Sequence, residues 1–274
     1  LLEHLGADLT LWAACLMNVL VGGCALVVAR AYPAIFDRPV DESPEPAAPA
    51  AQKEGQGVGK ERLLIFLSAA VAGLAFLLME LVWYRMLAPL LGGTTYTFGL
   101  ILAAVLLGIG LGGTAYAFWG QKRRPALSSL ALTCALEALF IAVPFALGDQ
   151  LALLAGLLRQ WSEMGFGGLV LSWSVMVGIV VLPTALVAGY QFPLLIGLLG
   201  AGERQLGLDV GWTYAWNTLG AILGALLGGF VLLPWLSAPG TWQLVVVLLA
   251  VLGGVIAVFS WTGRGQSAAQ LEGE

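Results

Sequence analysis

The chain alternates long apolar runs with short polar breaks, and this alternation sets its architecture. A helix needs about 20 apolar residues to cross the hydrocarbon core of a bilayer. Runs of that order cover Leu9 to Ala31, Glu61 to about Leu90, Tyr96 to Trp119, Ala126 to Leu147, Gly168 to Leu199, Gly211 to Leu236 and Thr241 to Thr262. Asp149 to Trp161 is too short to span and has Arg159 and Gln160 near its end, so it reads as an interfacial helix. Tyr32 to Lys60 is rich in Pro, Ala and acids, most densely from Asp41 to Pro46, and its composition cannot bury a core. The pattern predicts an all-α polytopic membrane bundle of about seven spans. Its parts are a helix over 1–31, a mobile linker over 32–60, a six-span domain over 61–262 and a tail over 263–274.

Composition narrows the class. Apolar residues make up 59% of the chain and charged residues 10%, with a mean hydropathy of +0.92. Soluble domains carry about 25% charged residues, so the lipid bilayer is the expected partner. The 37 glycines suit close helix packing in lipid. A net charge of −4 without a basic patch argues against nucleic acid. Cys15, Cys24 and Cys134 all fall in apolar runs without a CxxC, and His4 stands alone, so neither metal nor cofactor is expected. The chain opens on Leu1 and reads as a segment or processed product of something longer.

Basic residues orient the spans. With loops taken alternately, one side holds Arg30, Arg38, Lys53, Lys60, Arg62, Lys122, Arg123, Arg124, Arg204 and Arg264. The other holds Arg85 and Arg159. By the positive-inside rule the N-terminus lies outside, and the linker and C-terminus in the cytoplasm, in a plasma or inner membrane. Thr10 to Trp12 followed by Val21 to Leu26 echoes Thr241 and Trp242 followed by Leu252 to Ala257. The echo is six spans apart, so helix one reads as the end of a preceding six-helix half that is missing here.

Two stripes of small residues recur every fourth position: Ala104, Gly108 and Gly112, then Gly220, Gly224 and Gly228. They serve either a sliding interface or static packing. Gly108 to Gly113 has no strand before it and lies within a membrane helix, so it is no dinucleotide loop.

Glu80 and Glu137 each stand inside an apolar run. An ionised carboxylate at membrane depth costs several kcal/mol unless paired, hydrated or protonated. Each therefore reads either as a cation or proton site or as hydrogen-bonded structural glue. Tyr84, four residues after Glu80, can share its face. Pro183 and Pro193 each remove a helix hydrogen bond. Unwound backbone between them is expected to line a cavity with Tyr190 and Gln191, and Tyr214 and Asn217 are candidates for the same cavity.

The chain also resembles a family. Phe66 to Ser68, Glu80 to Arg85 and Leu91 to Tyr96 look like the start of the membrane part of spermidine-synthase-like proteins, often described as fused major-facilitator/spermidine-synthase proteins. Pro183 to Pro193, Tyr214 to Phe230 and the basic loop Gly120 to Arg124 extend the resemblance over roughly Arg62 to Thr262. It implies a major-facilitator-like half. It also implies a partner domain of aminopropyltransferase type, whose nucleoside-binding motif and catalytic aspartate are absent from this chain.

These readings converge on a membrane domain that binds or moves a small, cationic molecule, with Glu80, Glu137, Tyr190, Gln191, Tyr214 and Asn217 in its interior. Two alternatives stay open: a structural subunit anchoring a larger membrane complex, and the membrane half of an enzyme whose active site lies elsewhere. Its partners would be the missing half, a cytoplasmic domain or other membrane subunits. No catalytic motif is present.

Overall fold

The computed structural model describes residues 2–31, 56–120, 122, 125–199 and 206–271. The linker expected over 32–60 lies outside them up to residue 55. Its last five residues belong instead to a helix that begins at Gln56.

The chain divides into two units, 1–54 and 55–274. The first contains α1, Leu2–Ala31. Its apolar stretch Leu11–Cys24 is shorter than a membrane span. Trp12 of the sequence echo is exposed, whereas Trp242 of the second unit is buried. The two echo positions therefore serve different environments.

Among its described residues the second unit holds only helices and the turns that join them. It comprises α2 (Gln56–Leu91), α3 (Thr95–Ala115), α4 (Leu127–Ala146), α5 (Gly148–Leu158), α6 (Phe166–Val180), α7 (Leu182–Leu198), α8 (Leu206–Leu227) and α9 (Leu233–Leu271). Wider, π-helical turns extend α3 over Tyr116–Gly120 and join α8 to α9 over Gly228–Leu232. The segment read as interfacial is α5, followed by a tight 3₁₀ turn at Arg159–Met164.

Local chemistry fixes the reversals. Gly92 and Gly93 hold positive φ angles of 84° and 63° between α2 and α3, a conformation costly for residues with a Cβ. Thr97 Oγ1 donates to the Leu91 carbonyl at 3.0 Å across that turn. The chain bends by 51° between α6 and α7. Pro183 falls in the first turn of α7, where a missing N–H is tolerated. The backbone stays bonded through the bend, Val181 N–H to Val177 at 2.8 Å and Ala185 N–H to Val181 at 3.0 Å. Pro193 lies within continuous helix. The unwound stretch expected between the prolines is thus a bend at Val181.

Among the described residues, four segments are long and apolar enough to cross a membrane: Gly59–Leu91, Thr95–Gly120, Leu127–Ala146 and Gly207–Thr262. The bent pair α6–α7 makes a fifth when taken as one span. The lower count than seven has two sources. The apolar part of α1 is short, and Gly207–Thr262 runs 56 residues as one helical stretch. Ser237 interrupts that stretch with φ 60° and ψ 175°, a backbone region rarely open to residues other than glycine.

The helices pack chiefly in pairs: α2 on α8, α3 on α7 and α4 on α9. With α6–α7 counted as one unit, exchanging the first three helices for the last three, in order, maps this pairing onto itself. The small-residue stripes lie in the first two seams. A Cβ at Gly220 would collide with the Ala70 carbonyl, and one at Gly224 with that of Leu74. A Cβ at Gly108 would meet Ala185 Cβ at 2.5 Å, and one at Gly112 would collide with the Leu186 carbonyl. Glycine is what lets these backbones touch. The α4–α9 seam is different. Trp242 Nε1 donates to the Ile141 carbonyl at 2.8 Å, and the Trp242 ring meets Phe145 at 5.8 Å.

Large apolar side chains such as Leu106, Leu111, Phe118, Val247 and Val258 face outward, as a lipid-facing surface requires. Tyr96 and Trp119, also exposed, stand near opposite ends of the α3 segment.

Candidate binding cavity

Between the two glycine seams lies a cavity of about 520 Å³. Helix α2 contributes Gly73 and Phe76 to its wall, α3 contributes Ile109 and Gly113, α7 contributes Gln191 and Phe192, and α8 contributes Tyr214, Asn217 and Thr218. Its size falls within the usual range of about 300–1,000 Å³ for small-molecule sites. The walls are mainly apolar and aromatic, with neutral hydrogen-bonding groups set among them. The Phe192 and Tyr214 rings meet edge-on at 5.3 Å and cross the α7–α8 boundary. Asn217 Nδ2 donates to the Ala69 carbonyl at 3.1 Å. That bond fixes α8 against α2 at the cavity edge.

Glu80 lines a neighbouring cavity of about 590 Å³ with Tyr84, Thr95 and Phe98. The two cavities share Leu77, one helical turn before Glu80. The Tyr84 ring meets Phe98 edge-on at 5.9 Å, joining α2 to α3. The Glu80 carboxyl is only partly buried and is close to the main cavity without lining it.

Gln191 links the main cavity to a buried polar cluster on α4. Its Nε2 approaches Thr133 Oγ1 at 3.3 Å and Cys134 Sγ at 3.2 Å. The Gln191 amide also lies close to the Glu137 carboxyl. Glu137 is 1% exposed. Its Oε2 has no hydrogen-bond partner among the described residues.

The structure therefore separates the six interior candidates. Gln191, Tyr214 and Asn217 share the main cavity, Glu80 stands beside it, and Glu137 lies behind Gln191. Tyr190 is a correction. It turns away to line a third cavity of about 320 Å³ and meets Tyr116 edge-on at 5.2 Å. Successive residues on a helix point about 100° apart, so neighbours such as Tyr190 and Gln191 address different sides.

Sequence reasoning missed one ion pair. Arg62 Nη2 lies 2.6 Å from Asp209 Oδ1, at the starts of α2 and α8. The Asp209 side chain is buried, while that of Arg62 is partly exposed. The guanidinium also sits 6.0 Å above the Phe66 ring, which stacks on Trp216 at 6.5 Å. Opposite charges flanking two apolar helices were the available signal, but their separation by 147 positions hides the pairing. Among the described residues, no cluster of three or more potential metal ligands occurs.

No protein-family model, no curated protein and no solved structure matches this chain.

Proposed function

We propose that the 55–274 unit is a membrane-embedded binding or transport domain for a small cationic molecule. We further read it as a six-crossing, major-facilitator-like half of a spermidine-synthase-like protein. The observation that carries the binding role is the aromatic-walled cavity between two glycine seams, adjoined by the cavity of Glu80. Phe76, Phe192 and Tyr214 line the main cavity, and an aromatic ring attracts a nearby cation by about 0.5–2 kcal/mol. Glu80 supplies the negative charge nearby.

Length supports six crossings. Gly207–Thr262 would extend about 84 Å as one straight helix, against a hydrocarbon core of about 30 Å. The Ser237 break supports two crossings, and α6–α7 supports one. Cysteines placed at Lys60 and Lys122 should then label from one face, and a cysteine at Glu163 from the other. Labelling of all three from one face would defeat this topology.

Spermidine binding to the purified chain in nanodiscs, measured by calorimetry, tests the function. Glu80→Gln should weaken binding about tenfold, equivalent to about 1.4 kcal/mol. Ala221→Phe, which fills the cavity, should abolish it. No binding to the wild-type protein, or equal binding to all three, would remove this reading. The anchoring alternative draws no support from the stripes, because their glycines are used against helices of this same unit.

A further inference from the structure

Glu137 presents a problem that the cavity alone does not resolve. A buried carboxylate with an oxygen lacking any partner carries a desolvation cost of several kcal/mol. Either a positive charge offsets it or a proton neutralises it. Among the described residues, none of the helix stretches packed around it carries a basic side chain. The α9 stretch from Trp242 to Ile256 contains no titratable residue, and neither does α6. Helix α5 carries only Asp149. Helix α7 carries only Tyr190, whose ring meets Tyr116. On α4 itself, Cys134 is the titratable neighbour.

A metal cation fits poorly. Hard cations take about six or more oxygen ligands, and the polar side chains around Glu137 are Thr133, Cys134 and Gln191. A proton needs only one carboxyl oxygen. It also needs a way in, and Gln191 marks one: this side chain lines the cavity and, bonded to Thr133 and Cys134 of α4, adjoins the carboxyl.

We infer that Glu137 is a proton-binding site that exchanges with the cavity through Gln191. The proton leaves the carboxyl oxygen for a water molecule in the cavity. The carboxylate left behind accepts a hydrogen bond from Gln191 Nε2, which turns from Thr133 and Cys134. A ligand seated against Gln191 competes for the same amide and obstructs that exchange. This last link, to a ligand, rests on the proposed binding role of the cavity.

Infrared spectroscopy of the full chain in phosphatidylcholine vesicles tests the inference. At neutral pH the wild type should show a protonated-carboxyl band that Glu137→Gln removes and Glu80→Gln retains. Transfer to D₂O should shift this band. Gln191→Leu, which closes the polar link, should slow the shift about tenfold, as expected for one lost hydrogen bond along the route. Gln191→Ala, which leaves room for water, should speed it. Exchange in Gln191→Leu and Gln191→Ala decides the matter if Glu137→Gln does not fold. A wild-type spectrum without the band would overturn the inference. So would exchange rates indifferent to both Gln191 substitutions. Spermidine should slow exchange in the wild type. If spermidine binds by calorimetry without altering exchange, the link to the ligand fails. If it does not bind, the cavity's proposed role fails while the variants still judge Glu137.

Discussion

Two of the three principal helix pairs are closed by small residues and one by aromatic bulk. In α2–α8 and α3–α7, main chain meets main chain at Gly220 and Gly112. In α4–α9 the contact runs through Trp242, Phe145 and Ile141. The lone glycine contact there, Gly253, would hold a Cβ 3.2 Å from the Ala131 carbonyl. The difference teaches where space can exist. Backbones drawn together over part of their length leave room where they part, and the main cavity lies between the two glycine-built pairs. The aromatic seam fills its own gap.

The largest effect should come from breaking the bulky seam. Trp242→Ala removes a buried ring and orphans the bond to Ile141, costing about 3–5 kcal/mol. Thermal unfolding followed by light scattering in detergent would show it; an unchanged midpoint would mean that the seam is not load-carrying. Next comes Gly112→Val. Its Cβ would strike the Leu186 carbonyl and lie 2.7 Å from the Tyr190 nitrogen, both rigid backbone. A loss of about 3 kcal/mol is expected. A folded, stable valine variant would show that α3 and α7 can separate freely.

Gly228→Ala sharpens the contrast within a stripe. Its Cβ would meet Leu78 Cδ1 at 2.6 Å and Leu81 Cδ1 at 3.1 Å, ends of flexible side chains. The cost should be about 1 kcal/mol, and a loss as great as that of Gly112→Val would make the backbone-versus-side-chain distinction irrelevant. The smallest change is Gly254→Ala, where nothing lies within 4 Å. It should leave the midpoint unchanged or raise stability by about 0.5 kcal/mol through helix propensity. A marked loss there would reveal an unseen partner on that face.

Hydropathy marked the helices well because it reports which segments avoid water. Glu61 to Leu90, Tyr96 to Trp119 and Ala126 to Leu147 lie within a few residues of α2, the extended α3 segment and α4. The break it placed between Leu236 and Thr241 falls on Ser237, whose backbone angle interrupts a 56-residue helical stretch, with Pro239 beside it. The glycine stripes were visible by spacing, but their partners at Ala70 and Leu186 were not. Site residues were legible as polar groups in apolar company. Their grouping depended on helix rotation, which put Gln191 in the main cavity and turned Tyr190 elsewhere. Glu80 and Glu137 looked alike in sequence, and only their neighbours separated a cavity-side acid from a buried one.

The aromatic rings near the ends of α3 give the molecule a vertical scale. Tyr96 and Trp119 are 23 residues apart, about 34 Å at a helical rise of about 1.5 Å per residue. Such rings favour the headgroup level on either side of a core about 30 Å thick. A thinner bilayer therefore asks α3 to tilt, at fractions of a kcal/mol per Å of mismatch. Helix α3 cannot tilt alone, because Gly108 and Gly112 leave no slack against α7. A tilt of α3 would therefore carry α7, the helix that bears Gln191, with it.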